Sequence, residues 1–430
     1  MTKILIGRGD TDLDYPICRP SLDLDFTQEE LDPRITFTRG STGTRVNRNR
    51  VIETVDANQP RFDYDPVTGE CKGLLIEESR VNSWLYSGQS VTTGWGFTPT
   101  TLSFDNTQTA PDGSTNTIKF TERAVYTGGM GFNQTLSVTS GTSYTFSVFA
   151  KQPDNSPLRY FSILFYNTGF TTFQIVTFDP KNGTVLYNSA GNTTFIQKYP
   201  NGWWRFGVTA TATATTTSSF QIRFTNSVTS STNPPYGYGG PYGNYTGDGS
   251  SYLYFFGPQV ENGAFMTSFI PTSASTVTRS ADTASMSGTN FSSWYNQTEG
   301  TFYISGNASY VFQRSFGASI FNNASFADNR ISIRMGNTFI RAGAEQFAVY
   351  PQASKNNWKL SFGLKQNDIM FVLDGTKFTA DKNATLPTNL DTLEICKVEY
   401  TNSLYTNGTL SRLTYYPRRL KDNQLQLLTQ

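Results

Sequence analysis

Histidine is absent from this chain of 430 residues. Its absence excludes Ser-His-Asp and Cys-His nucleophilic systems, HExxH zinc sites and any general base built on imidazole. Hydrolysis of glycosidic bonds stays open, because it requires two carboxylates that face one cleft and no imidazole. The E-x-D-x-x-E pattern that some glycosidases carry on one strand is missing as well. We therefore expect no enzymatic activity, with glycan depolymerisation as the alternative.

Charge is scarce and balanced: charged residues make up 16% of the chain, and the formal net charge is +1. A chain without an excess of either sign offers no bulk attraction to nucleic acid or to an anionic membrane. Long apolar runs are also missing, since no stretch approaches the ~18 apolar residues of a membrane span. The opening residues lack the apolar run of a signal peptide. We expect synthesis in a cytoplasm without a signal peptide, no membrane insertion and no nucleic-acid partner.

Cysteine is rare. Cys18, Cys71 and Cys396 are odd in number, far apart and without CxxC spacing, so they predict neither a disulfide framework nor a zinc site. Buried thiols suit a protein that folds in a reducing cytoplasm. No cofactor is expected, and the sequence leaves open whether a metal such as calcium is bound.

Aromatic residues, in contrast, reach 14% of the chain, and Gly numbers 36. In SYTFSVFA, Tyr144, Phe146, Val148 and Ala150 alternate with Thr145 and its successors, which is the period of a β-strand. The run TATATATTT from Thr209 predicts a strand with a hydroxyl face and a small Ala face that packs closely under a larger neighbour. The expected fold class is all-β.

We divide the chain into three parts. Prolines interrupt residues 1–83, which predicts an irregular connector with short hairpins, and 84–275 and 276–430 each predict an antiparallel β-sandwich of jelly-roll type. Within the third part, Asp374-Gly375 predicts a hairpin turn, and Asp422 is expected to cap a short terminal helix that buries Leu425 and Leu428.

The stretch PRFDYDPVTGECKGLLIEESRVN, 60–82, gathers carboxylates that could hold calcium or could belong to a hairpin. Counted from Asp63, the fifth and sixth positions are Val67 and Thr68, where a calcium loop needs an oxygen ligand and a Gly. The segment FDPKNGTV repeats the same Asp-Pro and Gly spacing elsewhere in the chain. In both segments Pro presets one turn position and Gly takes the left-handed one, which favours hairpins.

The segment 35–87, ITFTRGSTGTRVNRNRVIETVDANQPRFDYDPVTGECKGLLIEESRVNSWLYS, resembles a segment of tailed-bacteriophage virion proteins, especially tail and head fibre proteins. GWWRFGVTATAT is similar to a strand of carbohydrate-binding-module-like sandwiches in such chains. The segments 290–306 and 410–429 are similar to the ends of their concanavalin/laminin-G-like modules. The resemblance implies a virion-attachment role for the N-terminal segment, contacts with other virion proteins, and a homo-oligomer in which a trimer is favoured.

Sugar-binding sandwiches use exposed aromatic rings together with a few hydrogen-bonding side chains. The candidate glycan-binding residues are aromatic side chains in Gly-rich stretches: Trp95, Tyr236, Tyr238, Tyr242 and Tyr245. Each could instead fold back on its own domain or fill an interface between protomers. Trp203 and Trp204 are adjacent on a strand and must point to opposite faces.

These observations predict a virion structural protein of the fibre, knob or tail-associated kind, located on the virion, that attaches to host-surface carbohydrate. One alternative is a capsid-decorating or connector protein without glycan binding, and the other is a glycan depolymerase. Fold analogy alone does not separate these three.

Overall fold

The computed structural model of the protein describes residues 18–89, 93–97, 101–125, 130–226, 246–308, 317–323, 328–334, 338–350, 357–378, 380–398, 404–405 and 407–430. Strands dominate these residues, and antiparallel pairing joins them into four large sheets and three two-stranded sheets. The expectation of an all-β protein built from antiparallel β-sandwiches is confirmed.

Two six-stranded sheets form the first sandwich. Sheet 1 contains, in spatial order, Thr193–Lys198, Trp204–Thr211, Ser143–Lys151, Tyr252–Asn262, Thr117–Thr121 and Thr101–Asp105. Sheet 2 contains, in spatial order, Thr184–Asn188, Gln174–Asp179, Tyr160–Phe165, Thr216–Thr225, Met130–Val138 and Gly96–Phe97.

The core between sheets 1 and 2 is filled largely by aromatic and β-branched side chains from every second position. The inward face of Ser143–Lys151 is the predicted one: Tyr144, Phe146, Val148 and Ala150. Packing of these side chains against rings from the opposite sheet removes them from water, which is the main stabilising contribution to such a sandwich.

The first three residues of the Thr/Ala run end the strand Trp204–Thr211, with Ala210 buried in the same core, and residues 212–215 form the connection to the strand Thr216–Thr225. On the other face, the hydroxyls of Thr209 and Thr145 lie 2.6 Å apart, and those of Thr211 and Ser143 lie 2.9 Å apart. At its start the alternation therefore gives the predicted small packing face and hydroxyl face, and the hydroxyls pair across strands. The prediction of a single strand is wrong for the rest of the run, because residues 212–215 connect two strands.

The second sandwich also has two sheets. Sheet 3 contains, in spatial order, Thr376–Lys377, Met370–Leu373, Asn357–Lys365, Glu299–Ala308, Asn407–Tyr416, Cys71–Glu77 and Phe62–Tyr64, with Leu22–Asp25 also paired to Asn407–Tyr416. Sheet 4 contains, in spatial order, Thr36–Thr38, Thr283–Ser287, Thr392–Ile395, Gly317–Phe321, Asn329–Arg334, Thr338–Ala342 and Ala344–Val349.

The N-terminal segment is not an irregular connector where the structure describes it. From residue 18 onward it contributes strands to both sheets of the second sandwich, as in the pairing of Leu24 with Leu413. Leu22 and Leu24 bury their side chains in the core of that sandwich. The sequence did not predict these short strands, because prolines lie close to them. The partner of Leu24, Leu413, lies almost 400 positions further along the chain. The first sandwich is therefore an insertion within the second one.

Smaller elements complete the fold. The two-stranded sheets pair Gly43–Val46 with Ile52–Val55, Arg80–Asn82 with Val277–Arg279, and Lys397–Val398 with Leu404–Tyr405. The helices of the described residues are the α-helices Thr289–Ser292 and Asp422–Leu428 and the 3₁₀ turns Phe26–Gln28 and Pro200–Gly202.

The stretch from 60 to 82 is a hairpin, as predicted. Phe62–Tyr64 pairs with Cys71–Glu77, and in the turn Asp65 Oδ1 accepts hydrogen bonds from the amides of Val67 and Thr68, at 2.8 and 2.9 Å. Gly69 takes a φ of 75°. No group of three or more Cys, Asp or Glu side chains within the described ranges is arranged to hold a metal ion.

The C-terminal elements agree with the prediction except at one position. Asp374-Gly375 forms the turn between two strands, and the terminal helix buries Leu425 fully and Leu428 in part. Asp422 is the first helical residue and not the cap, which is Lys421. Asp422 instead accepts a hydrogen bond from Arg419 at 2.5 Å, which ties the helix start to the preceding loop.

A groove between the two sandwiches

The outer face of sheet 1 is covered by the hairpin Gly43–Val46/Ile52–Val55 of the N-terminal segment. Val46 and Ile52 from this hairpin share one apolar cluster with Phe149, Tyr199 and other rings from sheet 1 and its neighbouring loops. The rings of Phe149 and Tyr199 meet edge to face, with centroids 5.1 Å apart. The N-terminal segment thus packs on the first sandwich while its strands complete the second.

A groove of about 450 Å³ opens beside this contact. One wall is the edge strand Thr193–Lys198 together with residues 266–269 of the first sandwich. The opposite side is built by Arg45, Asp63 and Lys72 of the N-terminal segment and by Asn307 and Asn407 of the second sandwich. The N-terminal segment and both sandwiches therefore contribute to one concave surface.

The carboxylates at the N-terminal side of the groove are engaged by the protein itself. Asp63 accepts a hydrogen bond from the Val46 amide at 2.8 Å and pairs with Lys72 Nζ at 2.8 Å. Asp65 Oδ1 receives the two turn amides of its hairpin. Arg45 pairs with Glu53 at 2.7 Å. These contacts hold the groove wall in place.

Behind the groove lies a buried set of five charged side chains, which we call the ion network: Arg39, Arg61, Glu77, Arg279 and Asp282. Glu77 pairs with Arg61 at 2.7 Å and with Arg279 at 2.5 Å. Asp282 pairs with Arg61 at 2.5 Å and with Arg39 at 3.1 Å. Burial by itself raises the pKa of Glu77, but the charges of Arg279 and Arg61 outweigh burial and lower that pKa to about 2.

The ion network fixes the junction of the two sandwiches. Three of its members come from the N-terminal segment, and Arg279 and Asp282 follow the first sandwich in the chain. Ser268 of the first sandwich adds hydrogen bonds to Glu77, from its amide at 2.7 Å and its hydroxyl at 2.6 Å. The network members from TRG, PRF and LIEES in the segment 35–87 are therefore part of a structural junction in this fold.

Arg205 lines the groove from below and is 3% exposed. Its Nη1 donates to the Thr267 carbonyl at 2.7 Å, its Nη2 donates to Ser147 Oγ at 3.1 Å, and its guanidinium lies 5.1 Å from the centroid of the Phe149 ring. Its Nε donates to no atom of the described residues. Beside it, burial raises the pKa of the Tyr199 phenol. The groove floor therefore holds a cation with neutral partners.

Trp95, a predicted glycan contact, lies in the core of the first sandwich and is 7% exposed. Its ring stacks on Phe132, with centroids 5.2 Å apart, and meets Trp84 edge to face at 5.3 Å. Its Nε1 donates to the Leu85 carbonyl at 2.9 Å. Because both ring faces and the polar tip are occupied, this residue is corrected from a sugar platform to a core side chain. The glycines on either side of Trp95 in the sequence gave no indication that its side chain is buried.

The other four predicted glycan contacts, Tyr236, Tyr238, Tyr242 and Tyr245, lie outside the described residues. The two adjacent tryptophans do point to opposite faces: Trp203 belongs to the apolar cluster under the N-terminal hairpin, and Trp204 packs against the core of the first sandwich.

Sequence reasoning did not find the groove residues. Gln197, Arg205, Asn307 and Asn407 come from separate parts of the chain and carry no shared local motif. Only the insertion of one sandwich into the other brings these side chains to one surface.

The fold and the groove together define a class, an all-β protein of two antiparallel sandwiches with a cleft of mixed polar and apolar lining between them. No family model matches the chain, and no curated protein matches it. No helix in the described ranges is long and apolar enough to cross a membrane.

Several solved structures are similar to part of the chain. The carbohydrate-binding module CBM40 of the Ruminococcus gnavus IT-sialidase, bound to α2,6-sialyllactose, is 12% identical, with a TM-score of 0.28 over 31% of this chain and 85% of the module. Domain 4 of a GH43 arabinanase from Geobacillus stearothermophilus, in complex with arabinotriose, is 9% identical, with a TM-score of 0.29 over 39% of this chain and 84% of the domain. Likenesses at such scores carry no argument about the ligand of this chain.

Proposed function

We propose that this chain is a bacteriophage virion protein, of the fibre, knob or tail-associated kind, that attaches to host-surface glycans through the groove between its two sandwiches. The observation that carries the proposal is the groove itself. Its volume of about 450 Å³ lies within the roughly 300–1,000 Å³ of small-ligand sites.

The groove lining combines the two features that a saccharide needs. Gln197 and Asn307 supply amide groups that can exchange hydrogen bonds with hydroxyls, and Phe195 and Met266 supply apolar surface for the C–H faces of a pyranose ring. Such a lining suits a ligand that is polar at its edges and apolar on its faces.

We propose binding without hydrolysis. A glycosidase needs one carboxylic acid and one carboxylate that both face the scissile bond. Asp63 and Glu77 are held in ion pairs, and Asp65 is held by its turn amides. These three groups support the groove and are not positioned for proton transfer to a ligand.

The virion part of the proposal is supported by the resemblance of 35–87 to phage fibre and tail proteins. A virion displays many copies of such a protein, so that weak individual sugar contacts sum to useful avidity. We further propose a homo-oligomer, with a trimer favoured, and contacts to other virion proteins through the N-terminal segment. Light scattering of the purified protein tests the oligomeric state. Mass spectrometry of purified phage particles tests whether the protein is part of the virion.

The glycan experiment uses the whole chain, because the strands Leu22–Asp25 and Cys71–Glu77 are needed to complete the second sandwich. The purified protein is applied to a glycan array beside two matched variants. Gln197→Ala removes an amide from the groove, and Gln174→Ala removes one from sheet 2, outside the groove. Loss of one hydrogen bond of about 1 kcal/mol predicts roughly fivefold weaker binding for Gln197→Ala alone.

A third variant changes Tyr236, Tyr238, Tyr242 and Tyr245 to Ala and separates the groove from the predicted tyrosine loop. Selective binding that is lost in the tyrosine variant and kept in Gln197→Ala would move the site to the loop. No binding by a folded whole chain would favour the capsid-decorating or connector protein. Release of shortened glycans would favour the depolymerase.

A further inference from the structure

Arg205 and Gln197 are neighbours across two strands of sheet 1. The edge strand Thr193–Lys198 pairs with Trp204–Thr211, and in this register Gln197 lies directly opposite Arg205. Side chains at directly opposed positions share one face of a sheet. Since the next residue, Phe206, points into the sandwich core, both Arg205 and Gln197 point outward to the groove.

The cations that line the groove have carboxylate partners with one exception. Of its three cations, Arg45 and Lys72 each have a carboxylate partner, at 2.7 and 2.8 Å. The hydrogen-bond partners of Arg205 are a carbonyl and a hydroxyl, and no carboxylate of the described residues lies within ion-pair distance of it. A buried cation is normally paired, because loss of hydration is costly without a counter-charge.

Two further properties of Arg205 agree with a missing partner. Its Nε is buried and donates to no atom of the described residues, which leaves this N–H without an acceptor. Burial lowers the pKa of Arg205, and Tyr199, Glu261 and Glu77 offset this only in part. The charged form is thus less well stabilised in this protein than it would be beside an anion.

We propose that Arg205 is the recognition group of the groove for a carboxylate, and that the ligand is accordingly an acidic saccharide, such as a chain that contains uronic acids. This inference rests on the proposed function and names its ligand class. A carboxylate matches the planar guanidinium with two parallel hydrogen bonds, which an ammonium group does not reproduce. The amides of Gln197 and Asn307 can bond the neutral hydroxyls of the same saccharide.

The test compares two forms of one ligand, so that its central result needs no variant. Oligosaccharides that contain uronic acids are printed on the array in their native form and after reduction of the carboxyl groups to alcohols. The whole chain is expected to bind the native form at least tenfold more tightly than the reduced form. Equal binding of the two forms overturns the inference and leaves glycan binding intact.

Variants then connect the preference to the residue. Arg205→Lys keeps the charge and loses the planar fork, so the preference for the native form should fall severalfold. Arg205→Met should lose the preference altogether. Arg50→Met, an exposed arginine outside the groove, is the matched control and should keep it. A preference that persists in folded Arg205→Met overturns the inference.

The outcomes for the inference and for the proposed function are distinguishable. Binding to neutral glycans only contradicts the role of Arg205 but supports the groove as a glycan site. No binding to any glycan by the folded whole chain contradicts both. Thermal unfolding of each variant shows whether Arg205→Met still folds, and if it does not, the native and reduced ligands decide with the unmodified protein.

Discussion

At the scale of single residues, the ion network is the feature with the largest loss of charge hydration. Its five members are at most 1% exposed, so each has given up nearly all its hydration. Removal of one partner from a buried pair typically costs roughly 3–5 kcal/mol, because the remaining charge stays buried without compensation. The network therefore fixes the geometry of the junction more than it adds stability over an apolar alternative.

The depressed pKa of Glu77 makes stability depend on pH. Its folded value of about 2 lies below the roughly 4.3 of an unfolded chain, so its stabilising contribution is present above the unfolded value and is lost as the pH falls towards 2. We expect roughly 3 kcal/mol of unfolding free energy to disappear between about pH 5 and pH 2. Urea unfolding of the whole chain across this range measures the loss.

The variant Glu77→Gln should be less stable at pH 7 by roughly 3–5 kcal/mol and should show a flatter pH profile. Glu53→Gln, at a partly exposed ion pair with Arg45, is the control and should change stability by about 1 kcal/mol or less. If the unfolding free energy of Glu77→Gln still falls as steeply between pH 5 and pH 2, other carboxylates cause the loss of stability.

Trp95 provides a second prediction at this scale. Trp95→Ala removes a ring packed between Trp84 and Phe132, and this should cost roughly 3–5 kcal/mol of stability. Thermal unfolding and glycan affinity are measured on the same protein. Because the ring has no exposed face, the affinity of the folded variant should stay within about twofold, and a selective loss of affinity would return Trp95 to the list of sugar contacts.

At the scale of elements, the chain contains two turns of the same design. In each, an Asp accepts backbone amides and a Gly follows at a positive φ, 75° for Gly69 and 66° for Gly183. The space around the two glycines differs. A Cβ on Gly69 would meet its nearest atom at 3.5 Å, whereas one on Gly183 would lie 2.3 Å from the Trp204 ring.

This difference predicts unequal costs for the same substitution. Gly69→Ala should lower the unfolding free energy by about 1 kcal/mol, from the left-handed backbone alone. Gly183→Ala should cost clearly more, because the Trp204 ring must move as well. Denaturant unfolding of the two variants compares them directly, and equal losses would show that the ring shifts without cost.

The N-terminal strands give a prediction about truncation. A chain of residues 84–430 lacks Phe62–Tyr64 and Cys71–Glu77 from sheet 3 and three members of the ion network. It exposes the strand Asn407–Tyr416 along the segment where Cys71–Glu77 pairs, and exposed edges promote aggregation. We expect this fragment to be insoluble or to lack a cooperative transition, as measured by light scattering and thermal unfolding. A soluble, cooperatively folding fragment would contradict the architecture.

At the scale of the whole molecule, one sandwich is inserted into the other. The chain leaves the second sandwich through Arg80–Asn82 and returns through Val277–Arg279, and these two strands pair with each other. Insertions are tolerated where the chain exits and re-enters at adjacent points, because the host fold does not need the inserted part to close.

Replacement of residues 84–275 by a short Gly-Ser linker should therefore leave a second sandwich that folds cooperatively. Its midpoint should be lower than that of the whole chain, because Glu77 loses its hydrogen bonds from Ser268 and the N-terminal hairpin loses the apolar cover of sheet 1. Circular dichroism with thermal unfolding tests this. Loss of a cooperative transition would show that the two sandwiches fold only together.

The sequence by itself determined the fold class and the local elements. Alternation assigned the inward face of Ser143–Lys151, and the turns at Asp65 and Asp374 were found because Pro and Gly act on their own backbone torsions. The absence of histidine likewise limited the chemistry before any contact was known. Each of these inferences depends on neighbouring residues only.

The tertiary structure decided which strands share a sheet, and therefore where the groove lies. The pairing of Leu24 with Leu413, the burial of Trp95 and the charge balance around Arg205 are all set by residues far away in the chain. A short strand pairs where its apolar face is buried best, and this position depends on many weak contacts across the whole fold. For that reason the groove, with a cation that lacks a carboxylate partner among the described residues, emerged only from the assembled chain.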